Sequence, residues 1–559
     1  MLASRLHRFL FRSNDLNTIS ARFWLGLSLV FSVYYGMLGL QKAFRSPYIV
    51  QDDAREYVFW MQRFVDSTLF PQDLIADYFK SITPSGFAAL YQIASTIGVA
   101  PLELSKVLPI VLVVLTTLYG FRVCLQVFPV PAAGFVAMLL LNQSLWFKDD
   151  LASATPRAFI YPLFLAFLYY LLRQVWLGIW ITIVLQALFY PPLVLITVSL
   201  LFLRLWTGTR LRLKSKQIRY FGIAIVLAGL ALLPYALASA QFAPVITQAQ
   251  AWTMPELHPG GRHPFFDSNP FRFWLVGEHS GILPPLLPPL IWLGLLLPLV
   301  LRRSRFSLIQ QINPNISVLA QLAIVSIALF FTAHVVLLRL FFPTRYTIHS
   351  FRIILAIAAG IVITTLFEAL LSQKKLWRKA LAIVGVVILI GYPNFSQAFP
   401  MTNYRVSNEG ALYQFFRQQP KDTLIATLSD EGNNIPTFAH RSTLASKEFA
   451  LPFHLGYYRQ IRQRLLELIQ AQYSLDVVPV QQMIQRYKIT AWMLDRSAFT
   501  PQYLIDKEWL NSFQPNFTDA VTRLQQRQVP ALVRLIPRCS VFEGQSVIVL
   551  SADCLLKAK

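Results

Sequence analysis

Long apolar runs separated by short charged loops fill residues 1–399, and the pattern then changes to short alternating elements. Many of the runs reach the roughly 20 residues that a helix needs to cross a bilayer, whereas an apolar run of about 10–14 fits a buried helix of a soluble protein. The runs at 23–40, 104–126, 132–147, a segment ending near 172, 175–190, a segment ending near 205, 220–240, 282–301, 318–341, and two ending near 368 and 394 predict about eleven transmembrane helices. A long first loop, 42–102, contains Tyr57, Met61, Phe64, Val65 and Thr68 at helical spacing, with Arg55, Arg63 and Asp66 on other faces. That pattern predicts an amphipathic helix in the plane of the membrane interface, with Tyr57 and Trp60 at headgroup level. The stretch 87–99 is too short to span and predicts a second interfacial or re-entrant helix. Beyond residue 400, apolar stretches at 423–428, 491–494 and 546–550 alternate with helical patterns at 408–419, 455–472 and 477–488. This predicts a separate α/β domain over 400–559.

Composition supports the membrane reading. Hydrophobic residues make up 55% of the 559 and charged residues only 14%, against about 25% charged in an ordinary soluble chain. The formal net charge of +23 would suit a nucleic-acid binder, but the cations recur in short loops between apolar runs. That distribution encodes topology and argues against nucleic acid as a partner. With the N-terminus in the cytoplasm, the basic loops 204–219, 302–305 and 373–379 fall inside. The acidic clusters, the aromatic loop after 240 and the terminal domain fall outside. The leading Arg5, Arg8 and Arg12 precede an apolar run longer than a signal peptide's, with no small-residue cleavage site, so the first span is expected to be retained. Cys124 lies in an apolar run, and Cys539 and Cys554 can pair only in an oxidising compartment.

Candidate chemistry gathers at span ends. Asp52 and Asp53 follow the first span. One carboxylate suffices to cap a helix, and a pair also allows a general base with an orienting or metal-binding neighbour. Asp149 and Asp150 form a second acidic pair on the same predicted side and are candidate ligands of a divalent metal. Arg157, in the first turn after Pro156, either snorkels or binds phosphate. Arg345, His349 and Arg352 have the spacing of one helix face and form a candidate anion site. His258, His263 and His279 match no compact zinc-ligand spacing, and His334 reads as a packing residue. No glycine-rich phosphate loop or nucleophile elbow is present.

An acidic pair just after the first span, a second in a later outer loop (Asp149-Asp150), and an outer α/β tail together resemble the GT-C superfamily of integral membrane glycosyltransferases. The tail segment Asn434-Ile435-Pro436-Thr437-Phe438-Ala439-His440-Arg441 is similar to stretches in bacterial and cyanobacterial members related to protein O-mannosyltransferases and aminoarabinose transferases. The resemblance implies a mainly helical membrane protein that transfers a sugar, with inversion, from a polyprenyl-phosphate donor. The acceptor would be a hydroxyl of a lipid, glycan or protein at the outer membrane face. Asp52 or Asp53 would be the base. Arg157, Arg345, Arg352 and His349 would hold the donor phosphate, and Mg or Mn at Asp149 and Asp150 would be an option. The alternatives are a transporter or flippase of a lipid-linked substrate, for which Pro191-Pro192 is the one supporting feature, and a non-catalytic membrane scaffold.

Overall fold

The computed structural model describes residues 18–208, 215–303, 306–337, 339–373 and 375–558. The leading Arg5, Arg8 and Arg12, the loop cations Arg210, Arg212 and Lys214, and Arg305 and Lys374 lie outside the described residues. Among those described, six helices are long and apolar enough to cross a membrane: Ile19–Ala43, Pro101–Val127, Lys216–Phe242, Pro314–Val335, Pro343–Leu371 and Leu376–Phe395. They correspond to the first, second, seventh, ninth, tenth and eleventh expected spans. The expected third to sixth spans are helical too, as Pro131–Trp146, Ile160–Arg173, Trp176–Phe189 and Pro192–Gly208. All four are shorter than the roughly 20 residues of a full crossing.

Pro131–Trp146 is the centre of the bundle, with every residue buried. It packs between Ile19–Ala43 and Ile348–Leu371. Gly360 permits the close approach on the second of these, because a Cβ there would meet the Ala133 carbonyl oxygen at 2.6 Å. The expected eighth span, 282–301, departs from the prediction. It runs extended to Pro288, then forms the 3-10 helix Pro289–Leu296 and a single α-helical turn, Leu297–Leu301. Pro284, Pro285, Pro288 and Pro289 remove the amide donors that a regular helix would need.

The first loop also differs from expectation. Residues Ala54–Val58 are α-helical and Phe59–Phe64 continue as 3-10. Phe59, Trp60 and Met61 are buried rather than at a lipid interface. The cover comes from protein: Phe59 lies against Phe449 of the tail, with ring centroids 5.2 Å apart. The segment Leu74–Ile82, capped by the Asp73 carboxylate on the Ile75 and Ala76 amides, and the segment Ser85–Thr96 complete the loop.

The tail carries a five-stranded sheet in the order β4-β3-β5-β7-β6, where β3 is Leu424–Thr427, β4 Ser442–Thr443, β5 Ala491–Asp495, β6 Ser540–Glu543 and β7 Val547–Ser551. Strand β3 is parallel to β4 and β5, while β7 is antiparallel to β5 and β6. A disulfide joins Cys539 and Cys554, and Cys124 is buried and free. A further two-stranded sheet ties the two ends of the chain together. Strand β1, Ile49–Gln51, pairs antiparallel with β2, Tyr404–Val406, so Gln51 faces Tyr404. The hydrophobic core continues without a break from the helical bundle into the tail.

Candidate active site

The β1–β2 pairing fixes where the acidic loop leaves the sheet. The Asp52 amide donates to the Asn403 carbonyl at 3.1 Å. From there the two aspartates part. Asp52 turns toward the tail, where it pairs with Arg55 and, at 2.9 Å, with Arg405. Asp53 turns inward, and its Oδ2 lies 2.6 Å from Nη2 of Arg157. The same nitrogen lies 2.9 Å from Oδ2 of Asp149. One guanidinium therefore bridges a carboxylate from each acidic pair, 96 residues apart in sequence.

The loop between the helices Pro131–Trp146 and Ile160–Arg173 is shaped by its own polar side chains. Asp149 accepts from Gln51 Nε2 at 3.1 Å and from Asn403 Nδ2 at 3.0 Å. The Ser153 amide caps back onto the Asp149 carbonyl, and Ala154 takes a positive φ of 49°. Pro156 then opens a 3-10 turn that delivers Arg157. Asp150 points the other way, into the bundle, where it pairs with Arg352. Arg352 Nη1 also donates to the Tyr161 hydroxyl at 2.7 Å, and that hydroxyl lies 2.9 Å from His349 Nδ1. Asp150, His349 and Arg352 are all almost fully enclosed and form an internal brace. Arg345 stands apart from them. It belongs to the 3-10 turn Pro343–Tyr346, and the α-helix begins only at Ile348. The expected stripe of three cations is thus split between the brace and the site.

Charge and burial set the two acidic pairs apart. Burial pushes the Asp53 carboxyl above its ordinary value, assisted by Asp149 and Asp52 and opposed by Arg157. Its side chain is nevertheless 37% exposed, against 22% for Asp52, so it is the more reachable of the two. Burial also acts on Asp52, but Arg405 and Arg55 outweigh it and hold that carboxyl below the ordinary range. In Asp150, Arg352 and Arg157 overcome burial and hold the carboxyl well below that range.

Several residues at this site have no local signal in the sequence. The loop after residue 240 folds back so that Arg262 Nη2 reaches Glu56 at 3.2 Å and Glu448 at 2.6 Å. Glu448 also lies 3.3 Å from Arg55, so it clasps the acidic loop from the tail side. Glu56 follows Asp53 by three residues, which was the only hint of its placement. His279 stacks on Phe342, with centroids 4.2 Å apart, and His263 lies 6.0 Å from it. Burial, then the neighbouring Arg345 and Lys148, push the His279 imidazole down to about 3. Burial, with Arg262 and His279, likewise drives His263 well below its usual value. Both rings are neutral at pH 7. His334, by contrast, bonds the Ser280 carbonyl at 3.0 Å, as a packing residue would. Buried polar atoms without a hydrogen-bond partner cluster here: Arg157 Nε and Nη2, Arg345 Nε, Tyr190 Oη, His263 Nε2 and His279 Nδ1. A separate cavity of about 500 Å³, lined by Gln174, Arg204, Asn315 and Gln321 among others, has no carboxylate in its walls.

Among the described residues, no group of three or more His, Cys, Asp or Glu side chains is arranged to hold a metal ion. The two expected ligands both border the Arg157 guanidinium, Asp149 at 2.9 Å and Asp150 at 3.8 Å, and Asp150 also pairs with Arg352.

The helical bundle, the acidic loop after the first long helix and the terminal α/β sheet together have the GT-C fold. In particular, the structure is similar to the oligosaccharyltransferase AglB of Archaeoglobus fulgidus in complex with an inhibitory peptide and a dolichol-phosphate. The TM-score is 0.56 at 13% identity, over 89% of this chain and 72% of that one. An Archaeoglobus fulgidus oligosaccharyltransferase tethered with an acceptor peptide gives 0.54 at 14% identity, over 90% of this chain and 72% of that one. The arabinofuranosyltransferase AftD from Mycobacteria gives 0.50 at 12% identity, over 85% of this chain and 36% of that one. No family model matches the chain, and no curated protein matches it.

Proposed function

We propose that this protein is a membrane glycosyltransferase. It moves a sugar from a polyprenyl-phosphate donor to an acceptor hydroxyl at the outer face of the membrane, with inversion, and Asp53 is the general base. The carrying observation is that Asp53 faces Arg157, is shifted toward higher basicity and is 37% exposed. Asp52 is committed to Arg55 and Arg405 instead. In the reaction the acceptor oxygen attacks the anomeric carbon as its proton passes to the Asp53 carboxylate. The bond from the anomeric carbon to the phosphate oxygen breaks, and the phosphate leaves with the electron pair. A phosphate leaving group needs positive charge rather than a proton. Arg345 and the unpaired N–H of Arg157 are suited to that role. A donor with its tail in the bilayer accounts for a site at the ends of the helices. The dolichol-phosphate bound by the structurally similar AglB agrees with such a donor.

On this reading the N-terminus is cytoplasmic and residues 400–559 form an extracytoplasmic domain. The test is sugar transfer from polyprenyl-phosphate donors by the purified chain in nanodiscs. Asp53→Asn is expected to abolish transfer while the protein remains folded, and undiminished transfer by that variant would overturn the assignment of the base.

A further inference from the structure

Two carboxylates from different loops, Asp53 and Asp149, lie 2.6 and 2.9 Å from one nitrogen here, and like charges brought together are stabilised by a cation or by a shared proton. A divalent ion is the common solution, because it bridges carboxylates and offers open positions to a phosphate. Here the position is already filled by protein. Arg157 Nη2 lies 2.6 Å from Asp53 and 2.9 Å from Asp149, and Nη1 lies 3.8 Å from Asp150. Arginine keeps its charge at any working pH. Asp149 Oδ2 accepts hydrogen bonds from Gln51 and Asn403, so the oxygen beside Arg157 is surrounded by N–H donors rather than open for metal ligation. Asp150 is held on its other side by Arg352. Meanwhile Arg157 Nε and Nη2 are both buried without a hydrogen-bond partner, Nη2 meeting the carboxylates at ion-pair distance, and the Nε N–H leaves the guanidinium a free edge, as a bridging metal keeps a free position.

We propose that Arg157 takes the place of a divalent cation at this centre, so that the site works without a metal and the guanidinium itself links the base to the second acidic loop. This rests on the reading of the site as the transfer centre, but its main test does not. Mn2+ binding to the purified full-length chain in nanodiscs, followed by electron paramagnetic resonance, needs no donor and no turnover. The native chain is expected to bind no stoichiometric Mn2+. Arg157→Ala leaves Asp53 and Asp149 facing each other and is expected to gain one Mn2+ per chain, which Arg157→Ala with Asp149→Asn loses again. One Mn2+ per native chain, lost in Asp149→Asn, would overturn the proposal. So would a folded Arg157→Ala chain that stays free of metal. The native measurement stands even if Arg157→Ala does not fold. In a turnover assay, EDTA is expected to change the native rate less than twofold, and loss of transfer that Mn2+ restores would also overturn the proposal. If no polyprenyl-phosphate sugar is turned over at all, the transferase reading fails while the Mn2+ result still decides the occupancy of the bridge.

Discussion

Asp53 and Asp149 meet on a single nitrogen of Arg157, at 2.6 and 2.9 Å, although each belongs to a different loop. Adjacent aspartates in sequence thus have different partners in space. Asp52, itself 22% exposed, pairs with Arg405, whose side chain is 58% exposed. An ion pair that exposed contributes at most about 1 kcal/mol.

The two first-loop substitutions should therefore separate. Asp53→Asn is expected to lower kcat/KM by about 10²–10⁴, the usual contribution of a positioned general base. Asp52→Asn should stay within about tenfold of the native rate, the equivalent of roughly 1.4 kcal/mol. Initial rates of sugar transfer at matched protein levels test both.

Acid should inhibit earlier than it would for an ordinary aspartate. The base must be ionised, and burial raises the Asp53 value, so kcat/KM is expected to fall as pH drops through an apparent pKa above about 3.9. Arg157 pulls that value down. Arg157→Gln removes the pull and should move the acid limb to higher pH. A limb that stays in place, or moves to lower pH, would contradict the assignment.

Asp150 and Arg352 are each only 1% exposed in their side chains. Arg352→Met strands a buried carboxylate and is expected to cost about 3–5 kcal/mol of stability. Arg352→Met combined with Asp150→Asn should recover most of that loss. Thermal unfolding of the nanodisc-embedded chain measures the difference.

Donor charge offers another test. Among the described residues, Arg345 and Lys148 lack an acidic partner at ion-pair distance, whereas Arg157 and Arg352 have theirs. The phosphate released from a monophosphate-linked donor carries about −1.5 to −2 at pH 7, which those two cations match. A diphosphate-linked donor adds a negative charge, and an uncompensated buried charge is costly. The monophosphate donor is expected to be preferred by at least about tenfold in kcat/KM, roughly 1.4 kcal/mol, and Arg345→Ala should weaken its use.

The sequence was most informative where one element decides its own structure. The apolar runs marked the six long helices, and the alternation after residue 400 marked β3, β5 and β7 within about two residues. It was least informative where a distant segment decides. Tyr57 to Thr68 has the periodicity of an interfacial helix, but Tyr57 and Phe59 pack on Phe70, Phe79 and Phe87 of the same loop and on Phe449 of the tail, and nothing within that segment encodes the cover. The Arg345, His349 and Arg352 spacing suits one helix face, yet Pro343 opens a 3-10 turn and delays the helix to Ile348. The acidic pairs stood out as charged dipeptides. That each pair divides between a structural partner and the bridge at Arg157 depends on contacts more than 90 residues apart, beyond any local pattern. The clasp of Arg262 on Glu56 and Glu448 is hidden for the same reason.

The three-residue pairing of β1 with β2 has a consequence for how this chain tolerates change. Side chains in a strand alternate between faces, so a slip of one residue exchanges the faces. A one-residue insertion or deletion inside β1 or β2 would turn Gln51 away from Asp149 and swing Asp53 off Arg157. Such a change should therefore be far more damaging than lengthening a loop of the tail such as 526–530. Exchanging tails between such proteins would carry with it part of the alignment of the acidic loop.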